Sequence, residues 1–364
     1  MKDEIKKAPL IRLSKRGAMD PKQVWAIRVG SILFALILSC IPLFITGNNP
    51  LESYAVIIKG SLGTSYYLKQ TIRKAIPLLG CALAIAPCFK MKFWNIGAEG
   101  QITAGAMFSS FIAINFASKL PHVPLLLLMV VFGAIGGAIW AMIPGFFKAR
   151  YNTNETLFTL MMNYIAIGIV AWLQGGPWEG RKGTQQVPLF DRNAYLPNLF
   201  GVHIGWLIVL FIVVFMYIYM NYTKRGYEVA VIGDSLNTAR YAGMNVSWII
   251  VRTMLLSGAI CGIVGFIMVS GQNRTITSNV ANGVGFTAIT VAWLSQLNAF
   301  AMIIISMILA ILEIGSSYLQ KTLSVPSSIS EIISGILLFC MLGCEFFINY
   351  RMIFRAKKSK EVNA

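Results

Sequence analysis

Three polar residues in an apolar setting are the first candidates for chemistry. Asn95, Glu99 and Gln101 lie in Phe93-Trp94-Asn95-Ile96-Gly97-Ala98-Glu99-Gly100-Gln101-Ile102-Thr103-Ala104-Gly105, between two long apolar runs. An ionisable group at membrane depth is costly, so it marks a pathway, a pairing site or a gate. Glycines there let backbone leave or re-enter a helix where a cavity or a neighbouring helix can satisfy it. The competing reading is a turn between two spans, with Glu99 solvated and the glycines serving close packing.

Two further stretches hold polar groups at suggestive spacings. Asn154, Glu155 and Asn163 fall in Asn154-Glu-Thr-Leu-Phe-Thr-Leu-Met-Met-Asn-Tyr164. Residue types alone favour a helix start here, with Asn152 as N-cap and Glu155 closing a capping box. Lys224–Met244 reads as a short helix capped by Asp234 or Ser235 and stopped by Gly243. A helix of about eight residues is unstable alone in water. It must therefore dock on the ends of the spans, on a partner, or on both. Glu313 and Glu331 are the remaining lone acids in apolar surroundings.

Several chemistries have no residues to carry them. The sequence has no Gly-x-x-x-x-Gly-Lys-Ser/Thr run, so it holds no nucleotide in a P-loop. Ser-His and His-Glu-x-x-His arrangements are absent as well. The six cysteines form no Cys-x-x-Cys pair and the two histidines, His122 and His203, are isolated, which points to small buried side chains rather than a metal or disulfide framework.

The elements that position these residues are apolar helices. Of 364 residues, 56% are hydrophobic and 12% charged, about half the charged share of a soluble domain. Mean hydropathy is +0.68. The length suits about ten spans of roughly 20 residues. The net charge of +17 suggests nucleic acid, but Lys and Arg cluster at the ends of apolar runs, as the positive-inside rule produces.

The expected fold is an all-α polytopic membrane protein with broken or half-spanning helices. Residues 1–24 form a basic cytoplasmic segment, 25–350 the transmembrane domain, and 351–364 a basic cytoplasmic tail. Spans are expected at 25–45, 71–89, 98–117, 125–147, 156–173, 206–221, 248–269, 299–319 and 329–350, with a half-span at 285–294. Pro77 and Pro87 predict that the second is short or kinked. Residues 174–205 make a long outer loop and 222–247 an inner one. With this threading most of the 31 Lys and Arg lie inside, which supports cytoplasmic termini and an even number of crossings. Residues 76–117 and 285–319 look distantly alike, each a short apolar half, a polar turn and a full span; such pairs point to a pathway at their interface.

Asn95–Gln101 resembles the Asn-Ile-Gly-x-Glu-Gly-Gln signature of the permease subunits of ABC importers for nucleosides and simple sugars, in the class that includes ribose and branched-chain amino acid permeases. Asn154–Tyr164 is similar to that family's Asn-Glu-x-x-x-Thr-Leu-Met-x-Asn-Tyr segment. Gly233, Ala239, Tyr241, Ala242 and Gly243 match its Gly-x-Asn-Pro-x-Ala-Ala-x-Tyr-Ala-Gly loop. Departures there are Ser235-Leu236 for Asn-Pro, Thr238, and Ala230 where an Arg is common. Gly283–Leu294 resembles its Gly-x-Gly-Phe half-span, with Thr290 and Trp293 as departures, and Ser295–Ala299 replaces the usual Gly-Arg-x-x-Pro turn.

The resemblance implies the transmembrane subunit of an ABC importer in a bacterial inner membrane, moving nucleosides or a related sugar by alternating access. It implies a second, non-identical permease, an ATPase subunit pair that binds ATP and Mg, and an extracellular or periplasmic substrate-binding (lipo)protein. No cofactor, nucleic acid or enzymatic activity is expected of this chain. Asn95, Glu99, Gln101, Asn154, Glu155 and Asn163 would form a substrate pathway or gate. Gly233, Asp234, Ser235, Arg240, Tyr241 and Gly243 would couple to the ATPase. From residues alone, an ion-coupled carrier using Glu99, Glu313 or Glu331 is the alternative.

Overall fold

The computed structural model describes residues 11–15, 19–323 and 326–354. Most of the expected basic tail, and Lys2, Lys6, Lys7 and Arg16 of the N-terminal segment, lie outside these residues, as does the Glu331 side chain. The chain divides into two compact units, residues 1–54 with 319–364, and residues 55–318.

In the smaller unit, β1 (Ile11–Lys15) precedes α1 (Pro21–Ile45) and the first turn of α2 (Pro50–Leu62). Ser31 Oγ in α1 donates to the Cys340 carbonyl at 2.6 Å, which ties α1 to α13 (Ser327–Asn349). Tyr54 is bonded to the Leu36 carbonyl and to Ser39 Oγ, 2.8 Å away. β4 (Tyr350–Phe354) pairs antiparallel with β1, Ile11 opposite Phe354. This ribbon is not among the expected elements, because both strands are only five residues long and the partners are more than 330 residues apart.

The larger unit holds α3 (Ser65–Lys90), α4 (Ala98–Phe116), α5 (His122–Tyr151), α6 (Glu155–Gln174), the hairpin β2 (Asn198–Leu199) and β3 (Val202–His203), α7 (Gly205–Tyr222), α8 (Lys224–Asp234), α9 (Leu236–Tyr241), α10 (Val246–Ile267), α11 (Val284–Leu294) and α12 (Ala299–Leu323), which runs on past residue 318. A π-helical turn, Met268–Asn273, prolongs α10. Among the described residues seven helices are long and apolar enough to cross a membrane. α4 has the length, but its first turns carry Glu99, Gln101 and Thr103. α11 has the hydropathy without the length, as expected of a half-span.

The second span departs most from expectation. α3 starts at Ser65, capped by Thr64, and runs unbroken for 26 residues through Pro77 and Pro87. A helical proline frees the carbonyl four residues earlier. For Pro77 that carbonyl belongs to Arg73, and Gln272 Nε2 of the π turn donates to it. The helix survives because a partner 199 residues away accepts the task. The expected likeness of 76–117 to 285–319 therefore fails in its first half, where α3 is a full span.

Small residues set the packing. In Gly133-Ala-Ile-Gly136-Gly137 of α5, a Cβ on Gly137 would run into the Gly258 carbonyl of α10. One on Gly262 would strike the Gly133 carbonyl, and one on Gly105 of α4 would strike the Gly262 backbone. Three helices thus meet backbone to backbone along one seam, as helix association in lipid favours.

At the end of α7, His203 is fully buried with no hydrogen-bond partner on either ring nitrogen. Burial, with the Arg73 guanidinium adding to it, lowers the imidazole to about 4. The unfolded chain, at about 6.5, binds a proton that the folded one refuses until the pH nears 4. Stability from this site is complete above pH 6.5 and declines as the pH falls, by on the order of 3 kcal/mol at full effect. Acidifying the purified chain from pH 7 to 4.5 should lower its melting temperature more than that of a His203→Phe variant; parallel curves would mean that the ring is protonated in place.

Candidate functional site

The site begins where α3 stops. Lys92 takes a left-handed φ of 59°, and Phe93–Ile96 then run without regular structure before α4 starts. Trp94 stacks on Trp293 near the end of α11 at 5.5 Å, and both rings lie against Phe89. α11 is therefore level with the last turns of α3 at its C-terminus. Eleven residues rise about 16 Å, roughly half of a 30 Å hydrocarbon core. The N-terminus of α11 sits near mid-depth, and so does that of α4, which touches it. Phe93–Gly97 covers the same half as a run of tight turns, with Asn95 N–H bonded to the Phe93 carbonyl at 3.0 Å and Ile96 N–H to the Trp94 carbonyl at 3.2 Å.

Irregular backbone at membrane depth must be satisfied by protein, and the conspicuous polar side chains do this. Asn163 of α6 accepts from Gly100 N–H at 2.8 Å and donates to the Ile96 carbonyl at 2.9 Å. Thr159, one turn earlier on the same face, accepts from Ile96 N–H at 3.2 Å. Asn95 Oδ1 accepts from Gly97 N–H and from Gln101 Nε2, both at 3.1 Å. Asn95 Nδ2 donates to Ser257 Oγ of α10 at 3.2 Å.

Glu99 reaches the other broken element. Its two carboxylate oxygens accept from Gly283 N–H and Gly285 N–H, each at 2.7 Å. These are free amides at the N-terminus of α11, where the helix dipole favours negative charge. One side chain thus fastens the two mid-depth helix starts together.

The expected lining of a passage by these residues is not found in this conformation. Asn95, Glu99 and Gln101 are 0%, 5% and 1% exposed and bonded within the subunit. Asn163 joins them, whereas Asn154 and Glu155 do not. Asn154 is the N-cap of α6, accepting from Leu157 N–H at 3.2 Å. The expected N-cap, Asn152, instead ends α5 in a left-handed conformation. Glu155 pairs with Lys148 at 2.8 Å. Glu313, read as a lone acid, pairs with Lys74 of α3 at 2.6 Å.

Asn154 and Glu155 lie instead beside the second candidate cluster, at the end of the unit that carries Lys90, Lys92 and Lys148. Here the single expected helix is two. Asp234 is the last residue of α8 and caps nothing, while Ser235 accepts from Thr238 N–H at 3.3 Å and starts α9. Gly243, at φ 71°, ends it. Gly233 sits so close to the Lys90 carbonyl that a Cβ would overlap it. Arg252 of α10 holds Glu228 of α8 at 2.9 Å. Val229, Ile232 and Ala239 pack on Met91, Phe93 and Met254. From this fixed base Arg240 and Tyr241 project, the latter 93% exposed. A cavity of about 450 Å³ lies between Lys92, Lys148, Glu155 and Gly233–Asn237.

Sequence reasoning missed Thr159, Ser257 and the Lys74–Glu313 pair. Thr159 could have been found from its i, i+4 spacing to Asn163. The other two depend on helices brought together only in the fold.

Comparison with known proteins fits this architecture. The chain is 30% identical over 356 residues to the glucose ABC transporter permease protein TsgB13 of Haloferax volcanii, covering 94% of this chain and 93% of that one. It is 28% identical to the guanosine ABC transporter permease protein NupP of Bacillus subtilis, over 85% of this chain and 90% of the relative. To the nucleoside ABC transporter permease protein NupB of Lactococcus lactis subsp. cremoris it is 25% identical, over 92% and 94%. Residues 67–342, from α3 to α13, match the family described as branched-chain amino acid transport system / permease component. With broken helices meeting at mid-depth and a match over most of its length, this chain belongs to that permease family.

Proposed function

We propose that this permease is one of two transmembrane subunits of an ATP-driven importer of nucleosides or a closely related sugar. The observation that carries the reading is the α8–α9 pair. It has a buried base and an exposed tip at the basic end, while the chain itself has no nucleotide-binding motif. A stand-alone carrier has no use for such a knob. The basic end is then cytoplasmic, by the positive-inside rule, and Arg240 and Tyr241 enter a cleft on an ATPase subunit.

Movement of that tip has two routes into the membrane. Gly233 bears on the end of α3, next to the irregular stretch, and Glu228 pulls on α10 through Arg252. Either would disturb Phe93–Gly97 and, through Glu99, the start of α11. Asn95, Gln101 and Asn163 hold this broken crossing in one of its two arrangements. A second, non-identical permease and a substrate-binding protein complete the assembly. Guanosine, nucleoside and glucose are named for relatives, and nucleosides come first here because of the Asn-Ile-Gly-Ala-Glu-Gly-Gln form.

The test is uptake of labelled guanosine and uridine by cells expressing this chain with its neighbouring genes. Replacing the P-loop lysine of the partner ATPase should abolish it. Uptake that survives that change and collapses with a protonophore would establish the ion-coupled reading instead, with Glu99 and Glu313 exchanging their present partners for the ion.

A further inference from the structure

A second polar feature lies on the far side of the Glu99 contact. Between α3, the π turn and residues 277–284 is a cavity of about 370 Å³. Its polar lining is Lys74, Gln272, Asn273, Thr277, Asn279 and Asn282, and its floor is Val284, the first residue of α11. The volume is at the lower end of the range of about 300–1,000 Å³ for small-molecule sites. It is about ten times what one water occupies.

The charges around it are already committed. Lys74 is bonded to Glu313 at 2.6 Å, and Glu99, beneath the floor, holds both α11 amides. What remains is the Asn273 carboxamide, the Thr277 hydroxyl, the Gln272 carbonyl oxygen, whose amide nitrogen serves Arg73, and the outer groups of an asparagine pair, in which Asn279 Nδ2 donates to Asn282 Oδ1 at 3.1 Å and leaves the Asn279 oxygen and the Asn282 NH₂ to a solute. Carboxamides offer a donor and an acceptor on one plane and match hydroxyls and the edges of heterocyclic bases. An anion or cation would enter without a free counter-charge, since Lys74 is already paired with Glu313. Another cavity of this unit, about 460 Å³ beside Ile72, Phe200 and Trp206, is lined almost wholly by apolar groups.

We infer that this cavity is a solute site within a single permease subunit, selective for uncharged, polyhydroxylated or heterocyclic molecules of nucleoside or sugar size. The inference rests on the import reading for its ligand class. Occupancy is felt at once by the Glu99 tie. Asn282, in a left-handed conformation at φ 45°, and Val284 flank Gly283, and Gly283 is one of the two donors to the carboxylate. A solute bonded to Asn279 and Asn282 therefore braces the turn that starts α11.

Two measurements on the assembled transporter test it. The first uses an Asn279→Cys variant with the native cysteines replaced by alanine, exposed to a membrane-impermeant thiol reagent. Guanosine, uridine or glucose should slow its modification at least fivefold, and equal rates with and without all three would overturn the site. The second compares uptake by wild type and Asn282→Leu. KM should rise about tenfold with Vmax little changed, the effect of losing about 1.4 kcal/mol of solute binding. An unchanged KM in a variant that assembles like wild type would also overturn it. Protection and a KM shift in a transporter that needs no ATPase would leave the site standing and remove the ATP-driven reading. ATP-dependent uptake with neither effect would do the reverse.

Discussion

Glu99→Gln should cut maximal uptake at least about fivefold, with KM within about twofold of wild type and the subunit still assembled with its ATPase. The glutamine side chain is the same size, so the site does not collapse. It presents one oxygen where the carboxylate presents two, and its NH₂ group faces the second amide donor. One of Gly283 and Gly285 N–H, bonded now at 2.7 Å, is left unsatisfied in a nearly dry place. That costs about 1–3 kcal/mol, or roughly five- to 150-fold in the population of the fastened state. Alanine should be worse, because both donors lose their acceptor. Uptake kinetics beside co-purification with the ATPase would measure this. A raised KM at full Vmax would show Glu99 touching the solute, and normal uptake would remove it from the mechanism.

Gly262→Leu should leave no assembled transporter at all. The first atom of any side chain there meets the Gly133 carbonyl and the adjacent Ala134 backbone, and neither can rotate away. Separating α5 from α10 also breaks the Gly137–Gly258 contact, and the same side chain crowds Gly105 of α4, which touches the Gly262 backbone. Overpacking a core side chain costs about 1–3 kcal/mol; forcing backbones apart along three helices exceeds that and consumes much of a total stability of about 5–15 kcal/mol. Gly168→Leu is the matched control, since a Cβ at Gly168 meets nothing. Membrane yield and size-exclusion profiles of the two variants should differ sharply; similar profiles would mean that the seam can open.

What could be read from the sequence was what local composition determines. Apolar runs located most long helices to within a few residues, and the shortness of α11 followed from its polar flanks. The misplaced features depend on distant partners. Pro77 and Pro87 predict a short or kinked α3 because proline breaks a helix in isolation, and nothing near Pro77 reveals that Gln272 takes the Arg73 carbonyl. Asn152 and Asn154 are both good caps by type, and only the chain direction after α5 assigns one to each helix. The importance of Asn95, Glu99, Gln101 and Asn163 was legible, because polar groups are rare at that depth. Their task was not. Glu99 meets amides 184 and 186 residues away, and backbone donors leave no mark in a sequence.

The glycine seam also decides where the molecule can bend. α4, α5 and α10 interlock through main chain, with each carbonyl seated in a notch where the neighbour lacks a side chain. Sliding one helix along another would carry those carbonyls out of the glycine notches that admit them, so the three helices carry no relative degree of freedom. They form a chassis. Articulation is left to the pieces outside that seam, the Phe93–Gly97 crossing and the turn before α11, which are tied to it through side chains.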